Sequence, residues 1–312
     1  MSALTTSLAD YLALRRGLGY GLVRQEKLIK QFLEYLSERQ ESEIKTELAL
    51  AWANSAGGGA AWHSYRLQAV RGFARYLRAQ GEPVEIPAAE LLPGQPQRAT
   101  PYLYCEAEIE ALIGAASSLG SPHRTATFQT LIGLLAVTGM RIGEAIGLNR
   151  GDFDSSSEVL TVRRGKGGRS RELPLHSSAA TALLRYLRRR DRPGPPPGED
   201  PLLVSAAGTR LLIGNVQTAF RALRERAAIP RLASGRGPRI HDIRHSFAVR
   251  TLIDAHREGA DVGRRLALLS TYLGHVDPAS TYWYLDASPE LMALASARLE
   301  SYLNAPVPGA GS

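Results

Sequence analysis

Six side chains of this sequence, Arg141, Lys166, His241, Arg244, His275 and Tyr284, are of types that together suit one kind of chemistry. A phenol with an unperturbed pKa of about 10 is a weak nucleophile at neutral pH. For Tyr284 to attack, it needs a base for its proton, cations for the charge that develops, and an acid for the leaving group. Arg141 and Arg244 are permanent cations whose planar forks fit the non-bridging oxygens of a phosphodiester. His241 and His275 titrate near neutrality and so can accept or donate a proton. Residues 101–312 contain 25 arginines and one lysine, Lys166. An ammonium, unlike a guanidinium, can release its proton when neighbouring cations depress its pKa, which makes Lys166 the candidate general acid. No cluster of carboxylates to hold magnesium accompanies the set, and two guanidiniums can do the neutralising that other enzymes assign to metal ions. The set fits metal-free phosphoryl transfer to a tyrosine, with no cofactor.

The local context of each residue carries an alternative beside the chemical reading. Arg141 follows the break at Thr138-Gly139 and opens a helical turn running to Leu148. Free backbone amides and the helix dipole favour an anion there, and Glu144, three residues on, can hold the guanidinium. An Arg–Glu pair at that spacing also suits a plain helix surface. Lys166 lies in the turn Gly165–Gly168 between two alternating stretches, Val159 to Arg164 and Ser170 to Leu175, which read as strands of a hairpin. A turn lysine without a chemical role fits the same turn. His241, Arg244 and His245 share a face of a helix beginning near His241. Two histidines four apart also match a zinc pair, but Asp242 stands where a metalloprotease helix has glutamate, and Arg244 would set a cation beside the metal. His275 follows Leu273-Gly274, a helix end, and Tyr284 comes nine residues later. Tyr282 competes for its role, although residues two apart point about 200° around a helix from one another and cannot both face one phosphate.

These residues need elements to position them. Residues 4–80 read as four helices: Ser7 with Asp10 resembles a capping box, apolar positions such as Leu28, Ile29, Phe32, Leu33 and Leu36 recur three and four apart, and glycines at 17, 19, 21 and 57–59 punctuate. The fourth, about Ala60 to Ala79, carries Val70, Phe73 and Leu77 on one face. On another are Arg71, Arg75 and Arg78, to lie along phosphates or simply in solvent. Gly81 to Pro101 holds five prolines with little periodicity and reads as a linker. Beyond it, helices are expected at Glu106–Ala116, Arg124–Val137, Ser178–Arg190, Gly214–Ala227 and Pro289–Leu303. The fold class is mainly α, in two domains, the second with a small antiparallel β-sheet.

Composition bounds the partners. With 312 residues and 44% apolar content, each of two domains can bury a core. The net charge of +8, carried mostly beyond residue 100, suggests a polyanionic partner. One cysteine, Cys105, excludes an intramolecular disulfide framework and a Cys-rich zinc module. No apolar run is long enough to span a bilayer and no charged-then-apolar leader is evident, so a cytoplasmic location is expected and a membrane partner is not. Neither a Walker-type loop nor a dinucleotide fingerprint occurs.

Four boxes taken in order resemble the tyrosine recombinases, the family of phage integrases and Xer-type resolvases. They are Thr138-Gly-Met-Arg141-Ile-Gly-Glu144 with Leu148, Gly165-Lys-Gly-x-x-x-Arg171-x-x-Pro-Leu175, His241-Asp-Ile-Arg244-His245-Ser-Phe-Ala248, and Leu273-Gly-His275 with Tyr284. Ser280, Ile243 and Asp286 depart from the family's usual threonine, leucine and histidine without removing a catalytic group. The resemblance implies that Arg141 and Arg244 clamp the scissile phosphate and His275 donates a hydrogen bond to it. His241 would help take the Tyr284 proton and Lys166 would protonate the departing 5′ oxygen. It implies a 3′-phosphotyrosyl DNA intermediate, independent of ATP and metal.

It also implies residues 1–82 as a helical, SAM-like core-binding domain that clamps DNA, 83–101 as a linker, 102–305 as the catalytic domain and 306–312 as a tail. The implied partners are double-stranded DNA and further copies of the chain, a dimer per site and a tetramer in the synapse, with an accessory recombinase or DNA-bending protein possible, all on the nucleoid. Leu291, Leu294, Leu299, Tyr302 and Leu303 would let the last helix dock on a neighbouring protomer or on its own. A relaxase of the type IB topoisomerase kind, a hairpin-forming telomere resolvase, a DNA-binding regulator without cleavage, and a zinc hydrolase built on His241 and His245 are the alternatives.

Overall fold

The computed structural model describes residues 3–93, 100–163, 165, 170–275 and 288–303. The chain divides into two compact units, Met1–Ala99 and Thr100–Ser312.

The first unit holds helices α1 (Ala3–Gly17), α2 (Val23–Glu38), α3 (Thr46–Asn54) and α4 (Ala60–Ala79). Apolar residues three and four apart give each helix one inward stripe. Leu8 and Leu12, then Ile29, Phe32 and Leu36, then Trp52, then Val70, Phe73 and Leu77 meet in one core. Helix α1 starts earlier than the Ser7/Asp10 capping box implied, which places both residues in its body. Leu4 packs against the core, and Ala3 and Leu4 are strong helix formers, so the helix extends through them.

Part of the stretch read as a linker lies against this unit. Arg71 donates from Nε to the Pro87 carbonyl and from Nη2 to that of Ala88, each at 2.6 Å, and Arg78 Nη2 donates to the Val84 carbonyl at 2.6 Å. A proline-rich segment forms no ladder of its own, and these guanidiniums supply the donors its carbonyls would otherwise lack. Two of the three α4 arginines left open between phosphate and solvent are therefore engaged on backbone, while Arg75 is exposed.

The second unit begins with α5 (Glu106–Ala115), α6 (Pro122–Thr138) and the short α7 (Ile142–Gly147). Helix α6 starts at Ser121, whose side chain accepts from Arg124 N with Pro122 at the first position, and buries Phe128, Leu131, Ile132 and Leu135. An antiparallel sheet follows in the order β1 (Phe153–Asp154), β2 (Val159–Val162), β3 (Arg171–Pro174). Leu160 faces Leu173 and Val162 faces Arg171. Strands β2 and β3 are shorter than their alternating stretches suggested, and β1, at two residues, leaves no periodic trace.

Then come α8 (Ser177–Leu187), α9 (Ile213–Arg226), α10 (Asp242–Arg257), α11 (Val262–Leu273) and α12 (Pro289–Leu303). The sequence reading located the end of α11 but not the helix. Its Leu266, Leu269 and Leu273 pack with Ala248 and Leu252 of α10 and with Leu291 of α12, and Leu294 lies against the same cluster. The first turns of the last helix thus pack in cis. The side chains of Leu299, Tyr302 and Leu303 lie outside the described residues.

Candidate active site

The site is built around the C-terminal end of α11. That helix closes on Gly274 in the left-handed region, φ 66°, with Gly274 N–H bonded to the Thr271 carbonyl and His275 N–H to that of Ser270, both at 3.0 Å. A helix end leaves its last carbonyls without intrahelical donors. Three arginines from three other places in the chain supply them. Arg171 Nε donates to Tyr272 O at 2.7 Å, Arg244 Nη2 to Leu273 O at 2.8 Å, and Arg141 Nη1 and Nη2 reach Leu273 O at 3.4 Å and Gly274 O at 3.3 Å. Cations there also complement the negative end of the helix dipole.

Each arginine is delivered by its local sequence. Helix α6 ends on Gly139, φ 58°, and a Cβ at that position would overlap the Phe247 ring and come within 3.0 Å of Leu273 Cδ2. The glycine lets the chain turn sharply under α10, which brings its carbonyl to Arg244 Nη1 at 2.8 Å. Arg141 follows in extended backbone as the residue before α7. Glu144 accepts from Arg141 N at 2.9 Å and from Arg141 Nη1 at 2.8 Å, which aims the guanidinium while capping the helix. Arg171 shares its strand face with the buried Leu173, since side chains alternate along β3.

Glu144 ties two of these arginines together. Besides Arg141, it accepts from Arg171 Nη1 at 3.1 Å and Nη2 at 2.7 Å, a bidentate pair. Burial alone would raise its carboxyl pKa. The hydrogen bonds and charges of Arg171 and Arg141 outweigh that and hold it at about 2.

Arg244, 3% exposed, also donates from Nη2 to His275 Nε2 at 2.8 Å. His241 sits at the start of α10, its outer edge open to solvent. Desolvation by the groups around it lowers its pKa below 6.5, and the charges of Arg244, Arg239 and Arg141 act in the same direction against Asp242. The imidazole is thereby kept neutral and able to accept a proton. With Arg141, Glu144, Asn149, Asp152 and Arg163 it lines a cleft of about 780 Å³.

Of the six residues singled out in the sequence, Arg141, Arg244 and His275 converge on the end of α11, and His241 shares a cleft with Arg141. Lys166 and Tyr284, together with Tyr282, lie outside the described residues. His241 and His245 meet edge to face, centroids 5.0 Å apart, and among the described residues no three His, Cys, Asp or Glu side chains gather as a metal site requires, so the zinc alternative lacks a third ligand there. Sequence reasoning gave no role to Arg171. The signals were its place in the second box and a charged residue on the face of a strand whose neighbour two along, Leu173, is apolar.

The second unit is thus a mainly helical domain with a small three-stranded sheet, and two arginines and a histidine gather at one of its helix ends. The chain belongs to the phage integrase family, matching it over residues 104–290. It is 40% identical over 307 residues to the integrase/recombinase-type protein y4rB of Sinorhizobium fredii, covering 96% of this chain and 98% of that one. It is 32% identical over 223 residues to the tyrosine recombinase XerC of Azotobacter vinelandii, 70% of this chain and 68% of that one. Its fold is similar to that of the Tn1549 transposon integrase solved in complex with transposon right end DNA, with a TM-score of 0.66, 16% identity, and coverage of 98% of this chain and 100% of the other.

Proposed function

We propose that this protein is a site-specific recombinase that cleaves and rejoins double-stranded DNA through a 3′-phosphotyrosyl intermediate, without metal or ATP. The observation that carries the reading is the convergence of Arg141, Arg244 and His275 on the end of α11, nine residues before Tyr284. Two guanidiniums at one place suit the two non-bridging oxygens of a phosphodiester, and their charge is preorganised by buried carbonyls and Glu144 rather than recruited from solvent.

In the forward step the Tyr284 oxygen forms a bond to phosphorus and the bond to the 5′ oxygen breaks. The phenolic proton goes to His241, whose lowered pKa leaves it free to accept, and Lys166 gives its proton to the 5′ oxygen. Attack by the 5′ hydroxyl of a partner duplex reverses the step and releases the tyrosine. One phosphodiester is exchanged for another of similar energy. Residues 1–82 serve as the DNA clamp, 83–101 as the connection and 102–305 as the catalytic domain. The working unit is a dimer on each site and a tetramer in the synapse, acting on the nucleoid.

A duplex selected by this protein from a random double-stranded library, nicked near its centre and incubated in EDTA, tests the reading by denaturing electrophoresis. A covalent protein–DNA adduct is expected for the wild type and for Tyr282→Phe, and none for Tyr284→Phe. The opposite pattern for the two variants would move the nucleophile to Tyr282, and no adduct with any protein would end the proposal.

A further inference from the structure

We propose that Arg171 is a positioning residue of this site: it fixes the aim of Arg141 and the seat of His275 without touching the scissile phosphate. The inference rests on the recombinase reading above. Arg171 is more enclosed than its neighbour, with 11% of its side chain exposed against 22% for Arg141. Its fork is turned inward onto Glu144, and its Nε edge is spent on the Tyr272 carbonyl. Gly274 leaves room beside it, since a Cβ there would stand 2.9 Å from Arg171 Nη1. Three of its five N–H groups are engaged by Glu144 and Tyr272 among the described residues, so its effect on the reaction is assigned to the groups it holds.

Two such groups matter. The first is Glu144, whose oxygens accept four hydrogen bonds, two from Arg171 and two from Arg141. A carboxylate has about four acceptor positions, so this one is saturated and its orientation is fixed from both sides. Charge is divided as well as geometry. With Arg171 present, two guanidiniums share one carboxylate and Arg141 retains positive charge for a phosphate. Without it, Glu144 and Arg141 would neutralise each other. The second group is the peptide run Tyr272–Gly274, which Arg171 pins to β3 at one carbonyl while Arg244 and Arg141 hold the next two. His275 follows directly and inherits the position of that run.

The test measures the rate of adduct formation at saturating protein on the nicked, library-selected duplex, beside the dissociation constant for the intact duplex. Arg171→Met is expected to slow adduct formation roughly 100-fold, the cost of a small misplacement of reacting groups. Duplex affinity should stay within about threefold, because the lost interaction acts on the transition state rather than on binding. Arg171→Lys, which keeps the charge without the fork, should recover part of the rate.

Combining Arg171→Met with Glu144→Gln should be no slower than the slower single variant, since both act through one carboxylate. A full rate in Arg171→Met, or a double variant whose loss is the product of the two single losses, would overturn the inference. Thermal melting of each variant identifies any that fail to fold. If Arg171→Met is one of them, Arg171→Lys carries the comparison, with a rate equal to wild type counting against the proposal. Absence of adduct in the wild type would instead overturn the recombinase reading and this inference with it.

Discussion

Arg244 and His275 meet through one short hydrogen bond, from Nη2 to Nε2 at 2.8 Å. A guanidinium has no lone pair to offer, so the imidazole must accept, and its single proton resides on Nδ1. In this arrangement Nε2 cannot donate to a phosphate oxygen. An arriving phosphate has to take Nη2 for itself, after which Nε2 can be protonated and turned toward it. Ring nitrogen shifts of His275 in the DNA-free protein should therefore show an unprotonated Nε2, and addition of the selected duplex should move the proton there. A protonated Nε2 before DNA is added would contradict this.

The two left-handed glycines are predicted to be sensitive for different reasons. At Gly139 a Cβ would run into the Phe247 ring, which sits in the seam between α6, α10 and α11. Strained backbone and overpacking together predict a loss of about 3 kcal/mol for Gly139→Ala, read from the midpoint of urea unfolding. At Gly274 the obstacle is the guanidinium of Arg171, which can shift. Gly274→Ala should cost only about 1 kcal/mol in stability, yet slow adduct formation, because the group displaced is the one that holds Glu144 and Tyr272. Equal effects of the two substitutions on both measurements would show that this distinction is wrong.

How much of this was legible beforehand depends on the range over which each feature is encoded. The helices of the first unit, the side-chain pairing of Arg141 with Glu144, and the hairpin were readable because each is written in residues a few positions apart. Arg141, Arg244 and His275 could be named from their types and local boxes, but their meeting point could not. It depends on hydrogen bonds spanning up to 133 positions, which no periodicity records. Arg71 and Arg78 misled for a related reason. An arginine stripe on an amphipathic helix has the same pattern whether it faces phosphate or the carbonyls of a proline-rich segment. Arg171 was quoted in the second box without a role because that role depends on a helix, α11, that the sequence reading recognised only by its end.

Glu144 should make stability depend on pH in a defined direction. Its pKa in the folded protein is about 2, against 4.5 for the free carboxyl. The unfolded chain therefore binds the proton first as pH falls, and the stabilisation is complete above about pH 4.5 and lost on the way to pH 2. The shift corresponds to roughly 3 kcal/mol. Glu144→Gln should be less stable than wild type at neutral pH, and the gap should narrow as pH drops through this window. A gap independent of pH would mean that the carboxylate charge contributes nothing beyond its hydrogen-bonding shape.

His241 gives the corresponding prediction for activity. In its proposed role as acceptor of the Tyr284 proton it must be neutral, and desolvation, followed by the charges of Arg244 and Arg239, lowers its pKa below 6.5. The acid limb of the adduct-formation rate should accordingly have its midpoint below pH 6.5. Arg239 offers a way to move it. This residue repels the imidazolium directly, and it also donates from its backbone N and Nη2 to the buried Asp242 carboxylate at 2.8 and 2.9 Å, screening a group that favours the protonated ring. Arg239→Gln removes a nearby cation and unmasks an anion, and both changes raise the His241 pKa. The acid limb should move toward higher pH in that variant while the rate at pH 8 is little altered. A limb already above pH 6.5 in the wild type, or one that moves lower in Arg239→Gln, would take the proton-accepting role away from His241.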